Sequence, residues 1–395
     1  MPVGGGDDDP KSLSRPFEAL SPTRSRARMR WMLVCVPAAF ILQWMEASPV
    51  LVFCAALAAV IPLVELMGSS TEGIAAKLGP TIGGLLNSSL NNLPEFIIGA
   101  VALANGLSPV VKASLTGSIL VNLLVGLGAS LFIGGVKYGP QRFDKRNLRV
   151  SGSMLLLCAF CFVVPAVFRI GTPEGTRDLS TEIAVVLLVV YVVNVFVTVF
   201  GSSQQGISTE GPPEEGEEPP KTPMWRSLIV LAVSAVVLGL VSDILSEALE
   251  PTAKQLGLSN TFSGIVLLGG VGGIGEVLTA IRFARAGRSE LVLSVTVGST
   301  IQMVLLIAPL LVLAGLALGE PMNLAFTSFE VVAIVLAALV ARELIEDGRS
   351  NWLEGLLLLT MYLILAFGFY HLPDAVVESE QTAINGAAVE AAATP

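Results

Sequence analysis

The sequence predicts an all-α integral membrane protein of about eleven transmembrane helices, built as two inverted five-helix repeats plus one extra N-terminal helix. Three observations lead there. Of 395 residues, 53% are hydrophobic and only 14% charged, against roughly 25% charged in an average soluble domain, and the mean hydropathy is +0.75. Apolar runs recur that are long enough for a hydrocarbon core of ~30 Å, which takes ~20 helical residues. A stretch of the first half also reappears in the second.

Taken in order, residues 1–28 are polar and rich in Gly, Pro, Asp and Arg. They have neither a charged segment abutting a short apolar core nor a small-residue cleavage site, so they read as a disordered cytosolic leader. The extra helix occupies 29–46; its apolar run, 31–46, ends at Glu46 and is short for a span. The first repeat covers 47–201, with spans at 48–67, 78–104, 110–135, 151–169 and 182–201. Residues 202–225 form a cytosolic linker whose TEGPPEEGEEPPK carries five glutamates and four prolines, a composition of solvated, unfolded chain. The second repeat covers 226–372, with spans at 226–249, 262–281, 290–317, 325–341 and 352–371, and 373–395 form an outer tail.

Charge agrees with this count, because Lys and Arg are retained on the cytosolic side of short loops. With the N-terminus inside, nineteen basic residues fall on the cytosolic side and only Lys112, Arg169, Arg177 and Lys254 outside. The expected location is the plasma (inner) membrane. A net charge of −9 leaves no basic face for nucleic acid. The four cysteines lie in apolar runs, with no disulfide framework and no zinc signature. Enzyme motifs such as HExxH, or a nucleophile with a histidine partner, are missing from a chain whose one histidine is His371, and no bound cofactor is expected.

The repeat carries the chemistry. EFIIGAVALANGLSPVVKASLTGS, Glu95 to Ser118, aligns without a gap on EVLTAIRFARAGRSELVLSVTVGS, Glu276 to Ser299, with six identities at Glu, Gly, Ser and Val positions. In the topology above the two copies enter the membrane from opposite sides, the arrangement that places a transport site at the midplane. A carboxylate there is costly on insertion scales, about 2.5–3.5 kcal/mol, and usually faces a cavity that serves transport. Pro94 before Glu95, and the glycines of GGVGGIGE around Glu276, with Gly273 and Gly275 among them, break the helices and free backbone carbonyls.

The following helix of each copy adds oxygens from Thr116, Ser118 and Asn122, and from Ser299, Thr300 and Gln302. Hard cations such as Ca2+ take six to eight oxygen ligands of these kinds. Two carboxylates within a few ångströms cannot both stay ionised without a cation, so proton and cation binding exclude one another. Glu95 and Glu276 are therefore the expected metal and proton ligands. Glu65, Asp243, Glu247 and Glu330 lie near helix ends, where an interfacial position is expected, with Asp243 and Glu247 open to an outer vestibule.

KLGPTIGGLLNSSLNNLPEFIIGAVAL, VVKASLTGSILVNLLVGLG and GGVKYGPQRF closely resemble the first repeat of the calcium/proton exchanger family, within the cation/calcium exchanger superfamily; GSTIQMVLLIAPLLVL resembles its second. The resemblance runs from about residue 70 to 320. It implies exchange of Ca2+ or a related cation for protons by alternating access. It also implies a first cation-binding motif of Asn92, Glu95, Gly117, Ser118 and Asn122, and a second of Glu276, Ser299 and Gln302. The sequence departs from the family's usual Asn and His at Gly273 and Val277, from its usual glycine at Asn91 and from its usual alanine at Leu93. A Na+/H+ or Na+-driven exchanger, and a membrane scaffold or sensor that binds a cation without moving it, stay open as alternatives.

Overall fold

The computed structural model describes residues 32–78, 80–143, 145–167, 173–200 and 223–373. The expected leader (1–28), nearly all of the linker (202–225) and nearly all of the tail (373–395) lie outside the described residues. The first half begins with α1 (Cys35–Trp44), α2 (Pro49–Leu78), α3 (Pro80–Asn91) and α4 (Leu93–Ala104). A continuous 31-residue rod follows, α5 (Ser108–Leu120), the π-helical turn π1 (Val121–Gly126) and α6 (Leu127–Tyr138). Strand β1 (Gln141–Arg142), α7 (Lys145–Val167) and α8 (Pro173–Phe200) complete it.

The second half runs α9 (Met224–Leu256), α10 (Asn260–Phe262), the turn π2 (Ser263–Leu268), α11 (Gly269–Gly272) and α12 (Ile274–Arg285). A second rod follows, α13 (Ser289–Gln302), π3 (Met303–Ile307) and α14 (Ala308–Leu318), and then α15 (Ser328–Glu346), β2 (Arg349–Ser350) and α16 (Trp352–Tyr370). Among the described residues the chain is thus nearly all helical. Against the all-α expectation, β1 and β2 pair antiparallel, Gln141 with Ser350 and Arg142 with Arg349. The ladder forms because two tight loops meet at one end of the bundle, where Phe143 N–H also donates to the Gly348 carbonyl at 3.0 Å.

Among the described residues, seven helices are long and apolar enough to cross a membrane, eight if the pair bent by 51° at Gly273 counts as one span. The other expected spans form shorter or more polar elements. They are the ten-residue α1, the half-helices α3 and α4, and α15, whose 19 residues include Glu330, Arg342, Glu343 and Glu346. Several helices outrun their apolar segments: α2 reaches Leu78 and α9 reaches Leu256, because polar residues at a helix end keep the backbone ladder intact where side chains reach water.

The identities within the repeat now acquire a physical reason. Gly106 and Gly287 occupy the same place in their copies, between half-helix and rod, and both have φ of +75°. That left-handed conformation costs a side chain with a Cβ and costs glycine nothing. A π-helical turn also follows the serine of each copy closely, π1 beginning at Val121 after Ser118 and π3 at Met303 after Ser299.

The interior divides into two apolar cores. One is formed by α1, α2 and α9 through residues such as Phe53, Val60, Met67, Leu238 and Leu245, joined by Ile98 and Leu268. The other gathers the two rods with α7, α8, α15 and α16 through Leu123, Leu131, Phe162, Leu311 and Phe326. In it Phe162 and Phe326 meet edge to face at 4.7 Å between ring centroids, the arrangement aromatic quadrupoles favour.

Helices α5 and α11 touch backbone to backbone. A Cβ on Gly117 would sit 1.9 Å from the Ile265 carbonyl oxygen, and one on Gly269 would sit 2.5 Å from the Gly117 Cα, whereas one on Gly270 would meet nothing within 4 Å. Overpacking typically costs about 1–3 kcal/mol. Gly117→Ala is therefore expected to lower the thermal midpoint of the detergent-solubilised protein clearly, and Gly270→Ala to leave it nearly unchanged. Equal midpoints for the two variants would contradict the close crossing.

Loop contacts sort to two ends. At one, Lys137 Nζ donates to the Arg285 carbonyl at 2.8 Å, close to the β1–β2 ladder. At the other, Gln43 donates to Glu247 at 2.8 Å, Asn105 to Asp243 at 2.9 Å, and the Leu324 amide to Ser180 at 3.0 Å.

Candidate functional site

Two helix breaks at matched positions build the site. Between α3 and α4 the chain turns at Asn92, with φ −90° and ψ 10°, and Pro94 in the next turn offers no amide proton to the carbonyl four residues back. Between α11 and α12 it turns at Gly273, with nearly the same φ −79° and ψ 3°. Glu95 and Glu276 each lie in the first turn after the break, where unpaired amides favour negative charge. Both are buried, at 7% and 3% exposure, and near enough to act on each other electrostatically.

Amides tie the breaks to the opposite half. Asn92 Nδ2 donates to Gln302 Oε1 at 2.7 Å, and Asn91 Nδ2 donates to Glu276 Oε1 at 3.1 Å. Ser118 Oγ donates to the Gly269 carbonyl at 3.3 Å. Gly272 leaves room for the Ser118 hydroxyl and the Glu95 side chain, since a Cβ there would sit 2.9 Å from Ser118 Oγ and 3.8 Å from Glu95 Cγ. A Cβ on Gly273 would lie 3.1 Å from Asn122 Oδ1, so Asn122 faces the second break. Ser299, also buried, lies one turn before Gln302 at the end of α13.

Four buried oxygens here have no hydrogen-bond partner: Asn92 Oδ1, Glu95 Oε2, Asn122 Oδ1 and Glu276 Oε2. Buried polar atoms are nearly always satisfied. Orphans that are all acceptors, on carboxylates and amides around one pair of helix breaks, are oxygens of the kinds that hard cations take as ligands.

Other expectations change. Thr116 turns away from Glu95, and its hydroxyl donates to Glu330 Oε1 at 3.4 Å. Thr300 donates to the carbonyl of Thr296, four residues back on its own helix, at 2.9 Å. Gly275 faces Val64 Cγ1, 3.2 Å from where its Cβ would be, so it serves packing. Glu330 is near a helix end as expected, yet buried at 2% rather than interfacial, because it closes a capping box with Thr327 at the start of α15. Lys112, assigned by its charge to the outer side, is buried at 5% and donates to the Ala325 carbonyl at 2.9 Å and to Asn323 Oδ1 at 3.2 Å. Asp243 and Glu247 each accept from an amide of another helix at an exposed position. Asn91 was missed as a contact of the second carboxylate, although a doublet of asparagines in an apolar run is its signal.

A profile of the family described as Sodium/calcium exchanger protein matches residues 48–200 and 226–371. The chain belongs to this family. Among curated relatives of this exchanger, the Ca(2+)/H(+) antiporter of Aphanothece halophytica is 37% identical over 361 residues, covering 87% of this chain and 96% of the relative. The Ca(2+)/H(+) antiporter ChaA of Bacillus subtilis is 35% identical over 335 residues, covering 84% and 94%. Among solved structures, native YfkE superposes on the exchanger with a TM-score of 0.75 at 32% identity, covering 87% of this chain and all of that one. The H+/Ca2+ exchanger CAX superposes with a TM-score of 0.69 at 14% identity, covering 93% and 96%, which shows the shared fold.

Proposed function

We propose that the chain is a secondary active transporter that exchanges Ca2+ for protons across a membrane by alternating access. The observation that carries the reading is the pair of buried carboxylates at matched helix breaks, surrounded by unpartnered acceptor oxygens. Relatives named Ca(2+)/H(+) antiporters over nearly their whole length support the choice of ions.

The chain's own residues supply the steps. Glu95 and Glu276 hold either the cation or protons. Asn92, Asn122 and the carbonyls freed at the breaks replace part of the water that the cation sheds. Ser118 and Ser299 mark the rods on which the second set of oxygens is carried, and Gln302 braces Asn92 from across the site. With Val277 where the resemblance places histidine, protons ride on the two carboxylates alone.

The same reading extends to the architecture. Two inverted copies, 47–201 and 226–372, carry five spans each, with an extra helix before them and the N-terminus in the cytosol of a plasma (inner) membrane. The loop contacts support it: 137–143, 285 and 348–350 gather at the basic end, while 43–48, 105, 180, 243–255 and 323–325 gather at the other.

A Na+/H+ exchanger is the second reading, favoured by Gly273, which offers no amide beside Asn122. Everted vesicles with an imposed acid-inside gradient separate the two. Addition of Ca2+ is expected to dissipate the gradient, with Na+, K+ and Mg2+ much weaker. Dissipation by Na+ alone would establish the second reading, and dissipation by no ion would point to a cation-binding scaffold.

A further inference from the structure

The two copies of the repeat share their amides unequally. In the register that pairs Glu95 with Glu276, the doublet Asn91-Asn92 falls on Gly272-Gly273, so the first break carries two amides and the second carries none. Yet the second carboxylate does not go without. Asn91, the last residue of α3, reaches across the site and donates from Nδ2 to Glu276 Oε1 at 3.1 Å. An ionised carboxylate oxygen only accepts, so in that state this contact fixes the orientation of the Asn91 amide.

Glu276 has two oxygens and they meet different surroundings. Oε1 is engaged by Asn91, while Oε2 is buried with no partner. One held oxygen fixes the rotation of the carboxylate and leaves the other for a ligand. Room matters as well: Asn122 Oδ1 and Val121 Cγ1 would each be 3.1 Å from a Cβ at position 273, so a side chain there displaces its neighbours. The opposite half-helix tip offers an amide where the second break has none.

We propose that Asn91 is a positioning and specificity-determining residue of the exchanger, which holds Glu276 from the opposite repeat and aims its free oxygen at the incoming divalent cation. The assignment rests on the exchange function proposed above. Asn91 replaces, from across the site, the amide that Gly273 does not provide. It also makes the second carboxylate dependent on where α3 stands, so that a movement of the α3 tip loosens Glu276 in the same step. Asn92, bonded to Gln302, reports to the same tip.

The test compares Asn91→Leu, which keeps the size and removes the donor, with Asn91→Asp, which keeps the shape and can only accept when ionised. Ca2+-driven proton movement is measured in everted vesicles as KM and kcat. Ca2+-dependent thermal stabilisation of the purified protein gives a readout independent of transport. Hydrogen bonds to charged groups correspond to roughly ten-fold or more in affinity. Both variants are expected to raise KM for Ca2+ about ten-fold or more, with kcat changed less, and to need correspondingly more Ca2+ for the same stabilisation; the melting temperature without Ca2+ should stay close to wild type. A KM equal to wild type in either folded variant would overturn the proposal. So would a higher KM that appears only together with a collapsed melting temperature, since that is damage to the fold. Should Asn91→Leu fail to fold, Asn91→Asp decides alone by the same criteria, and should neither fold, Asn91 is a folding residue and the proposal falls. Wild-type vesicles without Ca2+-driven proton movement would overturn the exchange function itself, a result that no Asn91 variant can mimic.

Discussion

Glu95→Gln and Glu276→Gln are each expected to reduce Ca2+-driven proton movement to the background of empty vesicles. Glutamine keeps the shape of the side chain and one acceptor oxygen, so the local packing survives. It cannot carry a proton at physiological pH, and it brings no charge to offset a divalent cation stripped of water. With one carboxylate left, the site holds neither the cation nor the protons that must replace it. Stability should move the other way or not at all. Glu95 Oε2 and Glu276 Oε2 are buried without partners, and an uncompensated buried carboxylate is costlier than a neutral amide. Melting temperatures at or above wild type, with exchange lost, are the expected pair of results. Retained exchange in both variants would sink the two-carboxylate mechanism.

Lys112→Met is expected to destabilise the protein by more than about 1–3 kcal/mol, the cost of an Ala325 carbonyl left without its donor, because Glu330 then stays buried without a positive charge near it. Lys112 and Glu330 are both buried and act on each other electrostatically. Each is also anchored by neutral groups, Lys112 by the Ala325 carbonyl and Asn323, and Glu330 by Thr327 and Thr116. Glu330→Gln should destabilise comparably. The double variant Lys112→Met/Glu330→Gln removes both charges and should recover most of the loss, short of about 1–3 kcal/mol for the Ala325 carbonyl left without its donor. Thermal unfolding of the four proteins closes a double-mutant cycle. Strictly additive losses would show that the two charges stand independently.

Much of the fold was legible because the bilayer imposes a simple rule on composition: among the described residues, the apolar runs of the sequence lie mostly on helices. Ends were not legible, since the polar residues that continue α2 to Leu78 and α9 to Leu256 carry no apolar signal. The β1–β2 ladder was invisible for a different reason, as it pairs two-residue segments more than 200 positions apart. At the site, the carboxylate pair and the breaks could be read from the repeat alone.

The choice among neighbouring hydroxyls could not be read in the same way. Thr116 and Ser118 are two residues apart on one helix and so point in widely different directions; only Ser118 reaches the second break, while Thr116 is taken by Glu330. Thr300 is spent on its own backbone, a local bond that competes with any ligand. Asn91 escaped because its partner lies 185 residues away in the other copy, and the repeat compares equivalent positions rather than contacting ones.

The division of the interior into two cores bears on how such a molecule changes shape. A single close-packed core resists deformation, because sliding one layer past another opens voids throughout. Here the fault plane is built in. The half-helices next to it are shared: α4 contributes Ile98 to one core and Ala102 and Leu103 to the other, and π2 divides Leu268 from Ile265 in the same manner. The unit of α1, α2 and α9 can therefore shear against the rest while each side keeps its own interlocking contacts. The broken helices, which carry the carboxylates, are shared between the two cores, and a shear of this kind would change their neighbours. Motion of the whole and rearrangement at the proposed ion site would then be one event, confined to the layer between the two cores.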